Sequence, residues 1–196
     1  MRATRRRNVG LLVLAALVSS AAFATTVRRM NLEDLCRDAG RIFRGTVLEV
    51  DEGSVEIGGG TLPTRTFLIR VDEGLKGDFT TEKEVPVVEL RTIGKSLPVT
   101  AGDVRWVRVL PEPPALAVGS SYVLFVTAPS AIGLSTTVGL GQGCFRITGE
   151  GQHEEAVNEL DNVGLAPPGR AESFAARGPI SYARLASEVR AILAGN

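Results

Sequence analysis

The sequence predicts a mainly β fold, with strands bent enough to close a small barrel, a short helix before them and a longer helix after them. Three features carry this expectation. From Thr64 the residues alternate, with Phe67, Ile69 and Val71 on one face and Thr66, Leu68, Arg70 and Asp72 on the other, which is the two-residue period of a half-buried strand. Tyr122 to Val126 is an uninterrupted apolar run, as in a strand buried on both faces. Gly45 sits in the middle of the strand expected over Ile42 to Val50, where it permits the sharp bend that small closed barrels require.

In chain order, the first segment has the three parts of an export signal. Arg2, Arg5, Arg6 and Arg7 precede an apolar run from Val9 to Val18, and small residues end in Ala22-Phe23-Ala24, so cleavage is expected before Thr25. The apolar run is about half of the roughly 20 residues that a membrane span needs, so no span is expected in the mature chain. Asn8 and Gly10 stand where the twin-arginine route wants apolar residues, which favours ordinary unfolded export. Glu33-Asp34-Leu35 before Cys36 lacks the small residue of a lipid-attachment site. The product is therefore expected in the periplasm or outside the cell.

A short helix follows, capped by Asn31, with Leu32, Leu35, Cys36 and Ala39 at helical spacing and Gly40 as its stop. After the first strand, Gly58-Gly59-Gly60 marks a hairpin tip, and Leu75-Lys76-Gly77 ends the second strand. Val85 to Leu90, with Pro86 suiting a strand start, and Val104 to Leu110 are further strands. The segment Val138 to Ile147 is the last. Past Gly149 the composition shifts, Pro167-Pro168-Gly169 marks a linker, and Ser181 caps a helix whose stripe of Tyr182, Leu185, Ala186, Val189, Ile192 and Leu193 should dock on the barrel. The expected organisation is a signal over 1–24, a β domain over 25–150, and a linker with a docking helix over 151–196.

Loss of the signal leaves 172 of 196 residues, enough for one domain with a real core. It also removes four arginines and no acid, so 22 bases against 22 acids become 18 against 22, a mildly acidic chain near −4. Such a chain has no general affinity for nucleic acid or anionic lipid. Two cysteines in an exported chain are expected to pair, Cys36 with Cys144, closing a loop of roughly 109 residues worth at most about 4 to 5 kcal/mol. A metal site from Cys36, Cys144 and His153 is the rival, but no C-x-x-C accompanies them, so neither metal nor cofactor is expected.

Other candidate chemistry has a plainer reading. Gly139, Gly141 and Gly143 resemble a phosphate loop, yet Phe145, Arg146 and Ile147 continue as a strand where the motif needs a helix, so the glycines serve close packing. His153 is the only histidine and lies beside Glu154 and Glu155 with no G-x-S-x-G elbow, so it reads as a solvated side chain. Glu49, Asp51, Glu52 and Glu56 lack calcium-loop spacing and read as a solvated hairpin face. Arg105-Trp106-Val107-Arg108 interleaves base and aromatic as single-strand binders do, but on an acidic chain Trp106 is expected to pack.

The Cys36 helix leading into Arg41-Ile42-Phe43-Arg44-Gly45-Thr46-Val47, the strand Thr66 to Val71 with Leu75-Lys76-Gly77, Gly119, and Tyr122 to Val126 together resemble the netrin-like module of tissue inhibitors of metalloproteinases. The Val138 to Phe145 segment resembles the V-G-L-x-Q-G-x-F ending of bacterial exported proteins of unassigned function. The resemblance covers roughly residues 27 to 148 and implies an OB-like, five- to six-stranded Greek-key barrel flanked by helices, with a cysteine before the first strand bridged to the end of the domain. The inhibitors chelate zinc through a mature N-terminal cysteine, and here the first mature residue is expected to be Thr25, so no functional residue is transferred. The expected function is that of a non-enzymatic exported module binding a protein or glycan, of unknown oligomeric state. The alternatives are a hydrolase using His153 and an inhibitor of an extracellular peptidase.

Overall fold

The computed structural model describes residues 28–79, 85–94, 99–101, 104–106, 114–166 and 177–195. The expected signal over 1–24, the expected first mature residue Thr25, Val107 to Leu110 and Pro167-Pro168-Gly169 lie outside the described residues.

The first helix, α1 (Leu32–Asp38), starts where Asn31 accepts the Asp34 amide at 2.9 Å and buries Leu32, Leu35 and Cys36. It ends at Ala39, not by a left-handed glycine; the Lys76 ammonium takes the free carbonyls of Cys36 and Ala39 at 2.7 and 2.6 Å. Gly40 serves another purpose, since a Cβ there would lie 2.8 Å from the Ala128 amide nitrogen.

Strands β1 (Arg41–Ile57) and β2 (Gly60–Lys76), of 17 residues each, form a hairpin closed by Gly58 and Gly59 at φ 57° and 81°. Both turn residues need positive φ, which explains the glycines. Three register shifts bend β1, after Ile42, Arg44 and Val47. At Gly45 a Cβ would stand 2.6 Å from the Arg70 carbonyl oxygen and 2.7 Å from Ile69 Cγ2, so the bend and the missing side chain belong together.

β3 (Val87–Ile93) pairs with β2 and begins one residue after Pro86, whose carbonyl takes the Val71 amide at 2.8 Å. β4 (Val99–Ala101) and β5 (Val104–Trp106) form a separate two-stranded hairpin. β6 (Ser121–Val126) returns beside β1, followed by β7 (Cys144–Thr148), β8 (Glu155–Asn158), β9 (Ile180–Ser181) and α2 (Tyr182–Ala194), capped by Ser181. The main sheet is antiparallel in the order β3-β2-β1-β6-β7-β8-β9. Three hairpin-linked strands with a fourth returning beside the first give the order of a Greek key.

The fold is thus mainly β with the two expected helices, but the sheet is not closed. Its outer strands are β3 and β9, and β3 meets the loop after β6 through one backbone bond, Ser135 N–H to Arg91 C=O at 2.8 Å. Segment 151–181 also contributes two strands to the sheet beyond its expected linker and helix.

Two apolar clusters occupy opposite faces. One joins α1 and α2 to Ile42, Val123, Phe125 and Phe145; the other joins Phe43, Val47, Phe67, Ile69, Leu90, Leu124 and Val126. Cys36 belongs to the first cluster and Cys144 to the second, both as free buried thiols. The expected Cys36 to Cys144 bridge is not formed, because side chains of adjacent strand residues point to opposite faces. Phe145 faces α1, so its neighbour Cys144 faces away.

Candidate functional site

The sequence candidates are dispersed. His153 ends an exposed 3₁₀ turn, Gly151–His153, and the carboxylate beside it is committed elsewhere, since Glu154 receives both terminal nitrogens of Arg44 at 2.7 and 2.6 Å. Among the described residues no three His, Cys, Asp or Glu side chains gather as a metal site. Burial pushes the Cys36 and Cys144 thiols up to about 12, so neither supplies thiolate at neutral pH. Trp106 ends β5.

The glycine-rich segment holds the chain itself. Its 3₁₀ turn, Leu140–Gly143, runs straight into β7, and a Cβ at Gly141 would strike the Glu159 side chain. Buried Gln142 accepts the Met30 amide at 2.8 Å and donates to the Arg28 carbonyl at 3.0 Å, clamping the segment before α1. Asn158 donates to the Gln142 carbonyl at 3.0 Å and accepts the Asn162 amide at 2.8 Å. The side chains of Gln142 and Asn158 are thus engaged within the fold.

A second polar cluster fastens α2 to the sheet. Arg44, besides its Glu154 pair, lies 4.7 Å from the centre of the Tyr182 ring, and the Tyr182 hydroxyl meets Glu73, which also meets Arg190. Hydrogen bonding to Glu154 raises the Arg44 pKa; burial, then the bond to Glu73, raises that of Tyr182. Arg44 was visible in the sequence only as one more alternating residue, since its side-chain partners Glu154 and Tyr182 lie 110 and 138 positions away.

Two concavities flank these elements. A groove of about 710 Å³ runs between α1 and the end of α2, past Arg37, Lys76 and Ile192, and a pocket of about 260 Å³ is lined by Tyr122, Cys144, Arg146, Asn158 and Glu159. In the groove, Lys76 is occupied by the helix carbonyls and Arg37 by Asp34 and Asp38, so its cations are already satisfied.

The outer half of the β1–β2 hairpin is built differently. β6 pairs with β1 only from Arg41 to Thr46, and the last contacts with the chain before β6 are Val47 N–H to Ser120 C=O at 3.1 Å and Gly119 N–H to Val47 C=O at 2.8 Å. Beyond them, among the described residues, Leu48 to Ile57 pairs with β2 alone. Toward the turn, from Val55↔Leu62 onward, β3 is absent too, and the two strands form a ribbon. The four acids singled out from the sequence all lie on this outer half and are exposed. Glu52 pairs with Arg65 and Glu56 accepts the Thr61 hydroxyl at 2.7 Å, while Glu49 and Asp51 make no ion pair among the described residues. Leu48, 43% exposed, and Val118, 61% exposed, add apolar surface where the edge becomes free.

A scan against protein-family models finds no match for this chain, and no curated protein matches it.

Proposed function

We propose that this protein is an exported, non-enzymatic binding module of the cell envelope or extracellular space, which engages a protein or glycan through the β1–β2 ribbon. One observation carries the reading: a ribbon with exposed acids, and with an edge that is free among the described residues, extends from a domain whose two apolar clusters are packed internally. The OB-like and netrin-like likeness belongs to the same proposal. Its support is the returning strand beside β1, the Ser135 to Arg91 bond, and a helix before and after the strands in the chain. Among the described residues no helix is long and apolar enough to cross a membrane.

The test is crosslinking in native envelopes from a photoreactive residue placed at Glu56, with the exposed Leu160 as control position. The reading expects an adduct from position 56 alone. A second variant replaces residues 56–61 by Asn-Gly, which leaves the Val55↔Leu62 rung to close a two-residue turn. It should fold normally and lose the partner; partner capture at the wild-type level by this shortened chain would overturn the reading.

A further inference from the structure

We infer that the outer edge of β1, Leu48 to Ile57, takes an extended basic segment of a partner protein as an added strand; this rests on the ribbon being the binding element. Ile57 and Gly60 flank a two-residue turn and therefore bond to each other. Counting back in twos, Val55, Gly53, Asp51 and Glu49 also bond to β2. Val50, Glu52, Ser54 and Glu56 then turn their amides and carbonyls outward. Pro63 supports this count independently. It stands opposite Ser54, has no amide to offer, and gives its carbonyl to Gly94 at 2.8 Å, so it faces away from β1 and its opposite number must do the same. Four outward donor and acceptor pairs thus repeat at every second residue, about 6.6 to 6.8 Å apart, which matches the backbone of another extended peptide.

Charge selects the peptide. From Glu49 to Glu56 there are four acids and no base, and an added strand would set its side chains directly beside them. A second copy of this edge would place acid against acid, so the acids, with the bulge after Val47, guard the edge against its own kind. Nucleic acid and anionic lipid are repelled for the same reason. Lysine or arginine at alternate positions of an incoming strand meets Glu49 and Asp51, which no base of this chain neutralises among the described residues.

The probe is a blocked octapeptide alternating lysine and threonine, titrated into the ¹⁵N-labelled exported chain at low salt. Controls are the same peptide with glutamate for lysine and one with alternate amides N-methylated. The lysine peptide should shift and protect the amides of Val50, Glu52, Ser54 and Glu56, and both controls should bind roughly tenfold more weakly or worse. Ser54→Pro removes only an outward amide, so it should leave the circular dichroism intact and weaken binding by roughly tenfold. The E49K/D51K variant should reverse the preference toward the glutamate peptide. Equal binding of the lysine and glutamate peptides, shifts confined to other elements, wild-type binding by Ser54→Pro, or a dimer in sedimentation that Ser54→Pro abolishes would each overturn the inference. Loss of the envelope partner on trimming residues 56–61 without binding of the lysine peptide defeats added-strand docking alone. Partner capture by the trimmed chain defeats the ribbon reading itself.

Discussion

The two halves of β1 are one continuous strand in two environments. From Arg41 to Val47 it lies between β2 and either β6 or the two residues leading into it, with Ile42 buried against the helices and Phe43 and Val47 buried on the opposite face. From Leu48 to Ile57 one edge is free among the described residues and the side chains are exposed or half-buried, four of them acidic. The break coincides with the register shift after Val47 and with the chain arriving at Gly119 to begin β6. The inner half therefore sets the stability of the domain, and the outer half can change its surface at little cost to folding.

The comparison is broken most easily by core truncation. Phe43→Ala should destabilise the protein by about 3 to 5 kcal/mol in denaturant unfolding, since Phe43 is fully buried and stacks edge-on with Phe79 at 5.5 Å. A loss below about 1 kcal/mol would mean that the inner half is not enclosed. The glycines of the two halves should differ next. Gly45→Val forces a side chain into the Arg70 carbonyl and should cost about 1 to 3 kcal/mol or more, whereas Gly53→Ala meets only the Thr64 hydroxyl at 3.3 Å and should cost less than about 1 kcal/mol.

Ion pairs give a finer contrast. Arg44→Met strands Glu154 beneath α2 and should cost about 1 to 3 kcal/mol, its side chain being only 21% exposed. Glu52→Gln, at a side chain 62% exposed, should stay within about 0.5 kcal/mol. A comparable loss at both sites would erase the distinction between inner and outer halves.

The smallest effect concerns the thiols on the two faces. Alkylation without reductant should be slow in the native protein at pH 8, because burial keeps both groups as thiols up to about 12, and should give two adducts per chain in denaturant. An unfolded chain with no reactive thiol would place the sulfurs together and contradict their opposite faces.

Local chemistry was legible in the sequence. Asn31 and Ser181 cap the helices as their side chains require, the glycines turn the hairpin, and the Thr64 to Asp72 alternation is the strand that it resembles. The glycine-rich segment packs closely, as the strand after it implied. The acids of the hairpin were legible as an exposed face, but the free edge beside them was not, because it arises from the shortness of β6, a strand 64 residues further on than Ile57.

By itself, then, the sequence determined the long strands, the N-caps of the two helices and the hairpin turn, since these depend on neighbours within a few positions and on a two-residue or helical period. Only the tertiary structure decided that Cys36 and Cys144 face apart, that Lys76 ends α1 and that Gln142 holds the segment before it. It also decided that β8 and β9 extend an open sheet. Each of these depends on which distant strands become neighbours and in what register, and a shift of one residue would reverse every face.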